Sequence, residues 1–292
     1  MSDNSANGRG IALMLAAMAL FALADLAIKL ATGRLAQPQI IFVVGLGGTL
    51  TFVTLALLRR ETLFPPEVFR PIVLARNLTE IVGVSTMIVA LGTTPLTIVG
   101  AILQASPLVV MAGGALFLGE TIGWRRWSAA VVGFLGVLIV LRPWNAGVSP
   151  GAILAVIAMV CVSLRDILNR GAPASLPTSV LAAHGLASLL VVGLLWSLLG
   201  PGALLPGDPP WLLILAIVAS GTGAYFAITA SVRAAPVSVV APFRYSRLLF
   251  LAAFGILILD EEVTWALVLG SALIIGSGLY VLARERRIAA TP

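Results

Sequence analysis

The chain has 292 residues, of which 60% are hydrophobic and 10% charged, with a net charge of +6. An ordinary soluble domain carries about 25% charged residues, so the charge here is too sparse to cover a water-facing surface. The excess of arginine does not point to nucleic acid, because it is spread over short loops between apolar runs. A lone cysteine, Cys161, excludes an intrachain disulfide and a cysteine metal cluster.

Apolar runs of about 20 residues, enough to cross a hydrocarbon core, predict ten membrane helices. The first, 10–31, holds Asp25 and Lys29; Arg9 and the small residues Ala22 and Ala24 give it some likeness to a secretory leader, but an internal copy later in the chain argues against cleavage. The second, 38–58, contains Gly45, Gly47 and Gly48, which suit close helix packing. The third, 71–91, carries Arg76, Asn77, Thr79 and Glu80, and the fourth, 95–118, carries Gln104, Ser106 and Pro107. The fifth, 124–141, has Gly133 and Gly136 at packing positions. The sixth, 151–170, includes Asp166, and the seventh, 177–199, holds the only histidine, His184. The eighth, 211–233, carries Thr222, Tyr225 and Thr229; the ninth, 237–259, carries Pro242, Arg244, Tyr245 and Arg247; the tenth spans 265–283. Pro38, Pro71, Pro95, Pro150 and Pro236 fall at helix starts, where a missing N–H costs little.

Sliding the chain on itself by 141 positions superposes Gly10 on Gly151, Asp25 on Asp166, Lys29 on Arg170, Pro95 on Pro236, Glu120 on Glu261 and Trp124 on Trp265. Two units follow, 1–143 and 144–292. Each has five helices, an odd number, so the second enters the membrane with opposite polarity, an inverted repeat of the kind secondary transporters use. Arg9, Arg59, Arg60, Arg70, Arg125 and Arg126 gather on one side with Arg165, Arg170, Arg233, Arg284, Arg286 and Arg287, whereas Lys29, Arg34 and Arg142 fall on the other. That asymmetry places both termini in the cytoplasm, and a bacterial inner membrane is the expected location.

The stretch from Thr94 to Pro143, with Pro95, Ser106, Pro107, the Leu116 to Glu120 run, Trp124, Gly133 and Gly136, resembles the second part of an EamA repeat, and Ala235 to Glu285 resembles a second copy. The chain is thus similar to the ten-helix members of the drug/metabolite transporter superfamily and, on overall pattern, to its YddG-type amino-acid exporters. The resemblance implies an all-α membrane fold in which the first, third and fourth helices of each half surround a central cavity, with the seventh helix toward the outside. Leu248 stands where the first copy has Pro107, and Asp260 where it has Gly119, so identical motion of the two halves does not follow.

An ion costs roughly 2.5–3.5 kcal/mol at the bilayer centre, which makes the deep charges the candidate site. Arg76 and Glu80 share one face of the third helix, and Arg244 and Arg247 one face of the ninth. At about 1.5 Å per residue, Glu80 and Arg247 reach similar depth and are expected to meet across the cavity. In the functional reading the ninth-helix arginines hold a substrate carboxylate and Glu80 meets an amine; in the structural reading an Arg–Glu bridge holds helices together. Tyr245, Asn77, Gln104 and Tyr225 are the polar companions, and Pro107 and Pro242 the candidate hinges. Asp25 and Asp166, near opposite helix ends, read as capping or wetted groups, as do Glu120 and Glu261.

The expected function is export of small metabolites, foremost amino acids, by alternating access without a cofactor, a metal or nucleic acid. The bilayer and a small-molecule substrate are the expected partners, and a monomer the expected unit. Nucleosides, sugar phosphates or lipophilic cations are the alternative cargo. An intramembrane enzyme is more remote, since no nucleophile with its base and no paired deep aspartates are present, and so is a channel, since Pro107 and Pro242 suggest kinked helices able to rock.

Overall fold

A computed structural model describes residues 2–117, 123–142, 148–200 and 205–289. The helices are α1 (Ser2–Ala31), α2 (Gln37–Leu58), α3 (Pro71–Thr93), α4 (Leu96–Leu103), α5 (Ser106–Phe117), α6 (Trp124–Leu141), α7 (Pro150–Gly171), α8 (Thr178–Leu199), α9 (Trp211–Ala234), α10 (Val237–Val240), α11 (Ser246–Leu259) and α12 (Trp265–Ala289). Short 3-10 turns cover Pro66–Phe69 and Ala241–Tyr245. Among the described residues nine apolar segments are long enough to cross a membrane, and Trp127–Leu141 in α6 is a shorter apolar helix.

These elements make ten spans. The fourth is α4 followed by α5, and the ninth is α10, the 3-10 turn and α11; every other span is one helix. Local chemistry sets the boundaries. Pro38, Pro71 and Pro150 sit in first turns, and Ser149 caps α7 by accepting the Ala152 N–H at 3.2 Å. The first and tenth helices run further toward the chain ends, to Ser2 and Ala289, than hydropathy alone predicts, because the termini continue as helix beyond the apolar stretch.

The most extensive contacts join the first span to the eighth, the second to the seventh, the third to the sixth and the fifth to the tenth. Exchanging each span with its repeat counterpart turns the first–eighth pair into the sixth–third pair and leaves the second–seventh and fifth–tenth pairs unchanged. A twofold axis in the membrane plane does this, and the inverted repeat is the architecture of the protein. Small residues permit the closest crossings, as at Gly136 and Gly270, each of which leaves no room for a Cβ against the other's carbonyl.

Ten crossings put both ends of the chain on one side, here the near side. The apolar core is unevenly divided between the two sides. On the far side one continuous cluster contains Ile28, Ile40, Leu91, Leu96, Val140, Ala152 and Leu267, all at far-side helix ends. Toward the near side there are three separate clusters: Ala56, Val73 and Val180; Met14, Met18 and Val240; and Met111, Ala130 and Val281. The far half is thus packed as one cluster and the near half as three.

Candidate functional site

The fourth and ninth spans both break at mid-membrane, at matching repeat positions. In the fourth, α4 ends at Leu103, Gln104 and Ala105 form a turn, and α5 restarts at Ser106 with Pro107 in its first turn. In the ninth, Pro242 opens the 3-10 turn, which ends at Tyr245, and α11 begins at Ser246. Interrupted helices in corresponding positions of two inverted halves are where such folds place their cargo, because irregular backbone at that depth is tolerated only beside protein or water.

Two groups of charge lie at this level. In the first turn of α11, Arg247 pairs with Asp25 of the first span, with Nη2 and Nε at 2.5 and 3.1 Å from Oδ2. Its guanidinium also lies 5.3 Å from the centre of the Phe21 ring, a cation–π contact. The Asp25 side chain is only 5% exposed, whereas Arg247 keeps 22%.

The second group joins the third and sixth spans. Glu80 lies between Arg76, with Nη2 at 2.8 Å, and Arg165, with Nη1 at 3.2 Å. Arg165 also reaches Asp166 Oδ1 at 2.9 Å, and Arg76 donates to Asn77 Oδ1 at 3.2 Å and Asn169 Oδ1 at 3.1 Å. Two cations meet two anions, so the group is neutral. Glu80, Arg76 and Asn77 are buried, while Arg165 and Asp166 remain partly open, Asp166 to 36%. Arg165, Asp166 and Arg247 thus keep partial exposure within their spans, where charges almost always face the bundle interior rather than lipid.

The expected meeting of Glu80 with Arg247 does not occur. Each has a nearer partner, because the third span packs on the sixth and the ninth on the first. Arg76, expected to reach the near surface, is instead buried, with its guanidinium against Gly185 of the seventh span. Arg244 is exposed and forms no ion pair among the described residues; its carbonyl accepts the Gln104 side-chain amide at 3.4 Å, which ties the two breaks together. Tyr245 is buried and packs over Gly278 of the tenth span, its hydroxyl without a hydrogen-bond partner among the described residues. Tyr225 packs edge-on against Phe52, ring centres 4.4 Å apart, in the contact between the eighth and second spans. His184 holds the loop between the second and third spans, with Nε2 2.8 Å from the Leu63 carbonyl and Phe64 edge-on at 5.3 Å.

Sequence reasoning read Asp25 and Asp166 as capping or wetted groups and Arg165 as an orientation signal, and it did not single out Phe21 or Asn169. The available signal was the repeat, which sets Asp25 and Asp166 on equivalent positions and thus deeper than helix-end caps. Glu261 is indeed a cap, but of a helix in the other half: its carboxylate accepts the Leu96 N–H at 2.5 Å, the Thr97 N–H at 3.0 Å and the Thr97 hydroxyl at 2.8 Å. Its counterpart Glu120 lies outside the described residues.

A model of the EamA-like transporter family matches residues 8–142 and again 149–283, one copy per half. The chain belongs to the EamA-like transporter family. Among its relatives, a riboflavin transporter of Rhizobium johnstonii is 28% identical over 73% of this chain and 71% of its own length. An S-adenosylmethionine uptake transporter of Rickettsia felis is 25% identical over 75% of this chain and 74% of its own. One solved crystal structure superposes with a TM-score of 0.63, covering 96% of this chain and 98% of its own at 21% identity, which establishes likeness of fold. Family membership makes this EamA-like protein a multi-pass membrane transporter of small metabolites and decides against the intramembrane enzyme. It does not single out amino acids, and the relatives fit the broader cargo better.

Proposed function

We propose that this EamA-like protein carries organic metabolites in which a flat heteroaromatic ring is joined to a polar or charged chain, by alternating access through the cavity between its halves. The observation that carries the reading is the Asp25–Arg247 pair at the break of the ninth span, backed by Phe21 and with Arg247 partly exposed. A guanidinium held flat by a carboxylate, with one face on an aromatic ring, offers its other face to a second ring and its remaining N–H groups to oxygen acceptors. Riboflavin and S-adenosylmethionine, which the relatives are named for, are both a heteroaromatic ring system bearing a hydroxylated carbon chain or sugar. Arg244, Gln104, Arg165 and Asp166 are suited to the polar end, with Glu80 and Asn77 fixing Arg165 and Arg76 behind them. Pro107 and Pro242 stand at the breaks where the spans would bend. The arginine asymmetry supports cytoplasmic chain ends, and the bacterial relatives support a location in a bacterial inner membrane.

Charges of both signs also suit a zwitterion, and amino acids are the second reading. The deciding assay is flux into proteoliposomes of labelled riboflavin, S-adenosylmethionine and a panel of amino acids, each tested as competitor of the others. Saturable flux of a ring-bearing compound, lowered at least tenfold by Arg247→Met at equal protein in the membrane, is the expected outcome. Competition confined to amino acids would transfer the assignment to the second reading. Non-saturable flux would reject a carrier altogether.

A further inference from the structure

The second and eighth spans both run from the far side to the near side, and they touch as far as mid-membrane. A Cβ on Gly47 would meet Val218, and the Thr51 and Thr222 hydroxyls are 3.2 Å apart. Both contacts join residues 171 positions apart, so the two helices lie parallel and in register there. From that level toward the near side a groove of about 370 Å³ lies between them, lined by Leu50, Thr51, Thr54, Leu55, Leu58 and Phe226. Its volume is at the low end of the range for ligand sites, which leaves room for one slender group. From Leu50 to Leu58 it runs about 12 Å along the helix axis, most of the ~15 Å that one leaflet contributes to the hydrocarbon core.

Apolar side chains line the groove without closing it: Leu50 is 59%, Leu58 78% and Phe226 44% exposed. The spans on its two sides belong to different halves of the protein, and toward the near side they join different apolar clusters. Ala56 packs with Val73 and Val180, whereas Ala227 and Ile228 pack with Met14 and Val240. The rim is charged. Arg59 caps the second span directly after Leu58 and follows Leu55 by one helical turn, and Arg60 stands next to it. Arg233 follows Phe226 by about two turns and so shares its face of the eighth span. The same register sets Arg233 about 6 Å beyond the level of Leu58, beside the end of the second span. All three arginines are exposed and form no ion pair among the described residues. The carboxylate next in sequence does not neutralise them, because Glu61 turns to the seventh span and accepts the Ser179 hydroxyl.

We infer that this groove binds one anionic phospholipid of the near leaflet, with an acyl chain between the second and eighth spans and the phosphate among Arg59, Arg60 and Arg233. Within a span the medium around exposed apolar side chains is acyl chain rather than water, and the groove fixes one such chain. The arginines select the headgroup. Their guanidinium forks match phosphate oxygens, and basic groups at the headgroup layer favour anionic over neutral lipid. Each half supplies one wall and at least one arginine, so the lipid bridges the two halves. The site is separate from the ion pairs described above and does not depend on the identity of the cargo.

The test counts bound lipid. The full chain in detergent is titrated with dioleoyl phosphatidylglycerol or with dioleoyl phosphatidylcholine, which carries the same chains, and complexes are resolved by native mass spectrometry. One phosphatidylglycerol should bind saturably and about tenfold more tightly than phosphatidylcholine. Arg59→Gln with Arg233→Gln should weaken it about thirtyfold, the scale of two basic residues at an anionic surface. Arg70→Gln with Arg125→Gln removes the same charge from exposed positions at the starts of the third and fifth spans, and should leave binding within about threefold. Thr54→Trp, from an exposed position, fills the groove and keeps every charge; it should abolish the tight binding in protein that remains monodisperse. Equal affinity for the two lipids, equal weakening by the two arginine pairs, or full binding by Thr54→Trp would each overturn the inference. So would competition by glycerol 3-phosphate at equal concentration, which would make this a site for a soluble phosphate, or a protein dimer whose formation displaces the lipid.

Discussion

Breaking the Asp25–Arg247 pair from its two ends should have unequal cost. Removing one partner of a buried ion pair typically costs about 3–5 kcal/mol, because the other charge is left without compensation. Arg247→Met leaves Asp25, with a side chain only 5% exposed, in that position, and the full cost is expected. Asp25→Asn leaves Arg247, which is 22% exposed; its loss should be nearer the roughly 1–3 kcal/mol of a partly satisfied polar group. In the double variant no ion remains unmatched, and replacing both partners of such a pair is often close to neutral. A coupling of about 4–8 kcal/mol, with the double variant more stable than either single, is therefore expected. Reversible unfolding by dodecyl sulfate in mixed micelles, followed by tryptophan fluorescence, measures all four proteins. Additive losses, or a larger loss for Asp25→Asn than for Arg247→Met, would refute the argument that burial of Asp25 sets the cost.

Two further outcomes can be checked independently. Gly270→Val should weaken folding by about 1–3 kcal/mol or more, since a Cβ at this position would stand 2.6 Å from the Gly136 carbonyl oxygen; the same unfolding assay reads it, and a loss below 0.5 kcal/mol, the usual spread of neutral surface changes, would mean that the fifth and tenth spans are not in backbone contact. Asp208→Cys in the Cys161→Ser background, at an exposed site in the loop before the eighth span, should react with an impermeant thiol reagent in intact spheroplasts, while a cysteine at Thr291 should react only after lysis. The opposite pattern would invert the assigned orientation.

The spans and the repeat were legible because each depends on information local to the chain or on a constant offset. Hydropathy locates a crossing, and the shared offset of Asp25 with Asp166 and Trp124 with Trp265 reveals two copies. The candidate site was legible in its parts and not in its pairings. Arg247 and Glu80 stand at comparable depth, but depth does not tell which span lies beside which, and each carboxylate and guanidinium takes the partner that helix packing brings nearest. Arg165 was hidden for a related reason: six residues from the end of α7 it counts as an orientation signal, and only the packing of the sixth span on the third turns it toward Glu80. The interruption of the fourth span at Gln104 was signalled by Pro107. The misplacement of Tyr245 was not signalled at all, since whether a ring in a short 3-10 turn faces the cavity or the tenth span depends on a neighbour as small as Gly278.

The uneven division of the apolar core bears on what drives the cycle. Since the two halves are copies with opposite orientation, splitting the single far-side cluster releases contacts of the kind that merging the three near-side clusters would form. Side-chain packing, a leading contribution to helix association where lipid leaves no hydrophobic drive, then differs little between the two end states, and the choice between them falls to smaller terms. At 1.36 kcal/mol for each tenfold change in population, one cargo molecule that binds one form a few kcal/mol more tightly than the other can reverse the balance. A concentration gradient of that cargo is then sufficient to give the cycle a direction.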